Sequence, residues 1–139
     1  MTVAESIAAL ANDQAAFDAQ RTGGRLDREP ATAAELLDTV HDPATGRTTA
    51  WFVFDYVILH SAQSGSDWYF HHVFAGRATL LHDRVVESTL VRLREDNVTE
   101  FAMEWAPAGE RYDRPRVRDA DRDAWWSKTR AQRRAGAPT

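Results

Sequence analysis

The sequence predicts an α+β fold in which helices cover one face of an aromatic-rich antiparallel sheet. Two observations support this prediction. Apolar residues recur at helical spacing over residues 2–20. From residue 48 onward this spacing stops, and the chain continues in runs rich in aromatic and β-branched side chains that are separated by turn residues.

The N-terminal region predicts two helices. Thr2 and Glu5 have the form of a capping box at the start of the first helix, and Gly23 and Gly24 end it. The apolar positions of this helix are Val3, Ile7, Leu10 and Phe17. A second capping-box pattern, Thr32 with Glu35, predicts a short helix through Leu36, Leu37 and Val40. The pair Asp42 and Pro43 ends it, because a residue before proline avoids helical angles.

The central region predicts a meander of strands, and a helix follows it near the C-terminus. The predicted strands are Trp51–His60, Asp67–Ala75, Arg84–Leu93 and Val98–Ala106. The predicted turns between them include Gln63–Ser66 and Arg94–Asn97. The fourth strand has an alternative, because Val98, Phe101, Ala102 and Trp105 also fit one face of a helix. Residues 121–134 predict the final helix, in which Trp125 and Trp126 pack on the sheet, close a pocket or meet a second subunit.

Length and composition indicate one globular domain. The chain of 139 residues suits a single core, so we expect one domain over 1–139 with a partly helical C-terminal extension over 110–139. The net charge of −4 gives no indication of a nucleic-acid or membrane partner. The chain has no cysteine, which excludes disulfides and thiolate chemistry and fits a reducing compartment. The N-terminus lacks the features of a signal peptide, so we expect a cytoplasmic protein.

Strand alternation brings candidate acid–base residues to one face of the sheet. Trp68, Phe70, His72 and Phe74 share one side of the second strand. On the third strand the shared side carries Val85, Glu87, Thr89, Val91 and Leu93. If the apolar sides converge, His72 and Glu87 lie together in an apolar pocket, where burial and pairing shift pKa values toward acid–base use. The alternative is that both residues are structural.

Asp55 and Tyr56 interrupt the most apolar strand. They are neighbours, so they point to opposite faces. Tyr56 could donate a hydrogen bond to a substrate oxygen. In the structural alternative Asp55 marks the solvent side and Tyr56 belongs to the core.

The five histidines do not predict a metal site. His71 and His72 are adjacent and therefore point to opposite faces, and no His-x-His or HExxH spacing occurs. The glycines form isolated turns without the context of a phosphate-binding loop. We therefore expect neither a metal nor a cofactor.

The segments FDYVILHSAQSGSDWYFHHVFAG and VVESTLVRLREDNVTEFAMEWAP resemble the second half of a nuclear transport factor 2-like domain, the fold of SnoaL-like polyketide cyclases and ketosteroid isomerases. The resemblance implies a curved sheet that forms a cone-shaped pocket with N-terminal helices, and dimers through the outer face of the sheet. It also places Glu87, Thr89, Phe101, Met103 and Trp105 around the pocket. Thr89 stands at about the position of the isomerases' catalytic acid, which argues against that exact chemistry. Met103 stands where a limonene-type epoxide hydrolase needs an aspartate, which argues against that activity as well.

The resemblance and the residues together suggest a small acid–base enzyme. The expected substrate is a hydrophobic polycyclic or enolisable compound, and the expected reaction is a cyclisation, isomerisation or dehydration in bacterial secondary metabolism such as antibiotic biosynthesis. His72 would shuttle a proton, Glu87 would orient it or act as base, and Tyr56 or Thr89 would bind an enolate oxygen. The expected substrate-binding residues are Asp55, Trp68, Phe70, Phe74, Thr89, Phe101, Met103 and Trp105.

Two other functions stay open at this point. One is a non-catalytic small-molecule-binding or dimeric assembly domain with the same sheet. The other is a flavin- or deazaflavin-binding split barrel, which TGRTTAWFVFDYVILHSA and SDWYFHHVFAGRATLL also resemble. That family usually has a basic cluster for the cofactor phosphate, and only Arg77 and Arg84 are present here. We expect a homodimer that binds a small molecule, with no nucleic-acid or membrane partner.

Overall fold

The computed structural model describes residues 1–26, 34–61, 67–99 and 117–134. The elements in chain order are α1 (Val3–Thr22), β1 (Arg25–Leu26), β2 (Glu35–Asp42), β3 (Arg47–Ser61), β4 (Asp67–Leu81), β5 (Arg84–Asn97) and α2 (Asp119–Arg134). The strands form one five-stranded sheet in which every pairing is antiparallel. The fold is therefore α+β, as the sequence predicts.

The first predicted helix is confirmed as α1. Thr2 caps its N-terminus in a complete capping box with Glu5, and Gly23 ends it in the left-handed conformation at φ 74°. The buried stripe consists mainly of Ile7 and small residues, namely Ala11, Ala15 and Ala19, which let the helix approach the sheet closely. Phe17, which we expected on the apolar face, is 60% exposed.

The second predicted helix is wrong, because Glu35–Asp42 forms strand β2. This strand pairs with β3, and Leu36 lies opposite Phe52. A helix of two turns is marginal on its own, and a capping pattern adds too little to outweigh pairing along a long neighbouring strand. A single N-terminal helix therefore covers this face of the sheet, and the expected cone of several helices is not present in the described residues.

The predicted strands 51–60, 67–75 and 84–93 are confirmed, and all three extend further. The strands β3 and β4 are each 15 residues long. The predicted turn at Arg94–Asn97 is wrong, since these residues continue β5. The turn at 63–66 and most of the fourth strand, 100–106, lie outside the described residues; Val98 and Thr99 are described and belong to no strand.

The face of the sheet that packs on α1, here called the inner face, carries the main core. Its large buried side chains are Phe52, Phe54, Tyr56, Ile58, Phe74 and Leu80. Gly76 allows the ring of Phe52 to cross β4, because a Cβ there would lie 2.6 Å from Phe52 Cζ and 2.6 Å from Leu90 Cδ2. Burial of these side chains is the main source of stability for the fold.

The opposite face, here called the outer face, packs on α2, and this confirms the predicted C-terminal helix. Trp126 contacts Trp51 with ring centroids 6.2 Å apart. Among the described residues, three ion pairs hold the helix on the sheet: Arg94 with Asp121 at 2.8 Å, Arg133 with Asp38 at 3.0 Å and Arg122 with Glu35 at 3.3 Å. Within the described residues, no helix is both long enough and apolar enough to cross a membrane.

Candidate functional site

Four polar side chains from four elements meet on the inner face, at one end of the apolar core. They are Asp18 from α1, Tyr56 from β3, His72 from β4 and Arg92 from β5, and we call them the inner cluster. Tyr56 and His72 are register partners on neighbouring strands. Asp18 follows Ala11 and Ala15 along the buried stripe of α1, so its carboxylate points at the sheet.

Asp18 is the charged centre of the inner cluster and is almost completely buried. The hydroxyl of Tyr56 donates to its Oδ2 at 2.7 Å, and Arg21 Nη2 donates to its Oδ1 at 2.5 Å. Burial opposes ionisation of Asp18, but the hydrogen bonds from Tyr56 and Arg21 outweigh burial and hold its pKa below the usual value. Burial, together with the hydrogen bond to Asp18, raises the pKa of Tyr56. The proton therefore stays on Tyr56 and the charge on Asp18.

His72 is buried against this pair and stays neutral. Its ring stacks on Tyr56 with centroids 5.2 Å apart, and its Nδ1 lies 3.7 Å from Asp18 Oδ2. Burial lowers the pKa of His72, and it outweighs the opposing effect of Asp18. The structure thus keeps an uncharged imidazole beside a charged carboxylate.

The contact with Arg92 fixes the tautomer of His72. Arg92 Nη1 donates a hydrogen bond to His72 Nδ1. A guanidinium group can only donate, so Nδ1 must accept and the ring hydrogen lies on Nε2. That Nε2 atom is buried and has no hydrogen-bond partner in the part of the chain that the structure describes. An unsatisfied buried donor is costly, and an oxygen acceptor beside it would remove that cost.

Arg92 also connects the inner cluster to the surface. Its guanidinium carbon lies 4.7 Å from the centre of the Phe74 ring, and its Nη2 lies 3.8 Å from Asp18 Oδ2. The side chain is about one-third exposed. Glu95 lies at the same edge, with Oε1 3.6 Å from His72 Nδ1, and is about half exposed. A cation and a carboxylate therefore flank the buried histidine at the protein surface.

The structure contradicts the expected meeting of His72 and Glu87. Irregularities in the β4–β5 pairing at Val73/Phe74 and at Thr79/Leu80 shift the register. Glu87 pairs with Thr79 and is exposed on the outer face, whereas Val85 lies opposite Leu80 and packs on the core of the inner face. Strict alternation along β5 fails because each bulge turns the following side chains to the other face. Glu95, opposite His72, is the β5 carboxylate at the inner cluster.

The prediction that Asp55 and Tyr56 point to opposite faces of the sheet is confirmed. Asp55 lies on the outer face, where its Oδ2 is 2.8 Å from Nε2 of the buried His71. Thr89, which we expected beside His72, also lies on the outer face, because it pairs with Arg77. The sheet therefore separates Asp55 and Thr89 from the inner cluster.

The aromatic residues expected at the pocket occupy different environments. Phe74 belongs to the buried core and stacks on Tyr56 at 5.8 Å. Phe70 makes an edge contact with His60, and Trp68 is 46% exposed near the start of β4. Phe101, Met103 and Trp105 lie outside the described residues.

Sequence reasoning missed Asp18, Arg92 and Glu95. A signal for Asp18 was available, because a carboxylate seven residues after Ala11 falls on the same helix face as the small buried residues. Arg92 and Glu95 could not be placed, since the bulges that bring them to the inner face leave no clear mark in the sequence. No group of three or more metal-ligating side chains occurs within the four described segments.

No family model, curated protein or solved structure matches this chain at a significant level.

Proposed function

We propose that the chain is a small acid–base enzyme that acts on an enolisable carbonyl compound at the inner cluster. The observation that carries this proposal is the neutral His72, whose Nε2–H is a buried donor without a partner in the described residues. Such a donor suits a carbonyl oxygen that gains negative charge during reaction, since the hydrogen bond strengthens as the charge develops. The resemblance to SnoaL-like cyclases and ketosteroid isomerases agrees with this chemistry.

The other members of the inner cluster have supporting roles in this proposal. Tyr56 holds the imidazole in place by stacking on its ring. The hydroxyl of Tyr56 also donates a hydrogen bond that stabilises the charged Asp18 carboxylate beside the ring. Arg92 fixes the tautomer and, being partly exposed, binds a polar group of the substrate. Glu95 accepts the α-proton of the substrate, as the half-exposed carboxylate nearest to His72. Glu87 and Thr89 have no part in this mechanism.

Exchange of α-protons in D₂O tests the proposal without a known natural substrate. The protein is incubated near neutral pH with a panel of cyclic ketones and 1,3-diketones, and loss of the α-proton signal is followed by NMR. We expect exchange above the buffer rate, with a fall of about 100-fold or more in His72→Ala. His41→Ala is the matched control, because His41 is exposed and contacts Thr48 instead. Exchange at the buffer rate for the whole panel, or full activity in His72→Ala, would contradict the proposal.

One observation favours a second candidate, a non-catalytic binding or assembly domain. Asp18, Tyr56 and His72 are each at most 4% exposed, so the inner cluster could serve only to attach α1 to the sheet. In that case His72→Ala would lower the free energy of unfolding, and no ketone would exchange protons above the buffer rate.

A further inference from the structure

A cleft of about 310 Å³ lies on the outer face, between the sheet and α2. The sheet contributes Trp51, Ala75 and Val91, and the helix contributes Trp125, Lys128 and Gln132. The cleft shares no residue with the inner cluster, which lies on the other side of the sheet. We call it the outer cleft.

Large side chains hold α2 away from a part of the sheet that carries small side chains, and this separation leaves the outer cleft open. Trp51 and Trp126 pack against each other at one side, and the ion pairs of Arg94 and Arg133 fix the helix at two further points. Ala75 lines the outer cleft, and its methyl group is too small to fill the space beneath the helix. The described walls of the outer cleft come from β3, β4, β5 and α2.

The walls of the outer cleft suit a flat apolar group. Trp51 and Trp125 present indole rings and Val91 presents a branched apolar surface. The indole Nε1–H of Trp51 is buried and has no hydrogen-bond partner among the described residues. A ligand oxygen that accepted a hydrogen bond from it would remove the free-energy cost of an unsatisfied buried donor. A volume of about 310 Å³ is near the lower limit for small-molecule sites and fits one or two fused rings.

The charge at the outer cleft suits an anion. Lys128 and Arg77 line it, and no carboxylate is present among the described lining residues. The C-terminal half of α2, residues 128–134, carries four cationic side chains and no acidic one, although the whole chain has a net charge of −4. Cations there complement the helix dipole. Arg133 pairs with Asp38, whereas Lys128 lines the outer cleft.

We propose that the outer cleft binds a small planar aromatic carboxylate. The rings lie between Trp51, Trp125 and Val91, and the carboxylate pairs with the Lys128 ammonium group. This proposal does not rest on the proposed function, because it uses different residues on the opposite face of the sheet.

Calorimetric titration of the full chain with 2-naphthoate tests the proposal, with 2-naphthalenemethanol as the neutral probe of the same shape. We expect one saturable site with a Kd below about 1 mM, and binding of the alcohol weaker by about tenfold or more. Lys128→Glu should weaken naphthoate binding by about tenfold or more, and Lys128→Arg should retain it. Arg25→Glu is the charge-matched control, because Arg25 lies in β1, which pairs with the far end of β3. Val91→Trp should abolish binding of both probes by filling the cleft.

Lys128 is the only lysine in the chain, which allows a second readout. Acetylation of Lys128, followed by peptide mass spectrometry, should slow when naphthoate is present and should not slow with the alcohol. The absence of saturable binding, or equal affinity for the acid and the alcohol, would overturn the proposal. Naphthoate binding that survives both Lys128→Glu and Val91→Trp would place the ligand elsewhere and would overturn it as well.

Discussion

The hydroxyl of Tyr56 donates a hydrogen bond to Asp18 Oδ2 over 2.7 Å and so joins the centre of the sheet to a carboxylate 38 residues earlier in the chain. Both groups are buried, so water cannot replace the bond if one partner is removed. This contact is therefore part of both the fold and the proposed site.

Removal of the Tyr56 hydroxyl should destabilise the protein. In Tyr56→Phe the buried Asp18 carboxylate loses a donor, and we expect the free energy of unfolding to fall by about 1–3 kcal/mol. Urea unfolding measures this difference. Equal stability of Tyr56→Phe and the wild type would show that the bond does not hold α1 to the sheet.

Stability should fall with acidification in a way that depends on His72. The pKa of His72 is lowered in the folded state, so between the folded value and the unfolded value of about 6.5 the unfolded chain binds more protons. The free energy of unfolding therefore decreases as the pH falls through this range. Urea unfolding at several pH values should show a shallower slope in His72→Gln and an unchanged slope in His41→Gln. An identical slope in His72→Gln and the wild type would contradict the burial of a neutral His72.

Gly76 should tolerate no side chain. A Cβ at this position would meet Leu90 Cδ2 and Phe52 Cζ at 2.6 Å, and the Phe52 ring is fully buried and cannot move freely. We expect Gly76→Ala to lower the free energy of unfolding by about 1–3 kcal/mol. Urea unfolding tests this, and Gly76→Ala in a Leu90→Ala background should lose less, because one of the two close contacts is gone. A loss as large in that background would contradict the packing explanation.

The turn between β4 and β5 should accept a stabilising change. His82 and Asp83 have φ values of 52° and 62°, which are unfavourable for residues with side chains and typical of a two-residue hairpin turn. The double change His82→Asn and Asp83→Gly should raise the melting temperature by a few degrees, corresponding to about 1 kcal/mol. The backbone oxygen of residue 83, which accepts from Ser6, is retained. A lower melting temperature would show that the original side chains make contacts that outweigh the strain.

Elements with a long periodic pattern could be predicted from the sequence. The candidate site could be predicted only in part. The helix α1 and the strands β3 and β4 have strong periodicity, so Tyr56 and His72 were placed correctly on their strands. The short segment that became β2 has a local helix signal, and only pairing with β3 decides its structure. The bulges in β5 depend on contacts with β4, so no local pattern showed that Glu87 would turn away from His72 and that Arg92 and Glu95 would replace it.

The proposed role of His72 requires one tautomer and one charge state of its ring, and both can be measured by NMR. Long-range ¹H–¹⁵N correlation spectra of the ¹⁵N-labelled protein, assigned by comparison with His72→Gln, report both properties. We predict a neutral ring with its hydrogen on Nε2 at pH 7 and a pKa for His72 below the ordinary value of about 6.5. A charged His72 ring at pH 7, or a neutral ring with the hydrogen on Nδ1, would contradict the proposed role of Nε2–H as the donor to a substrate oxygen.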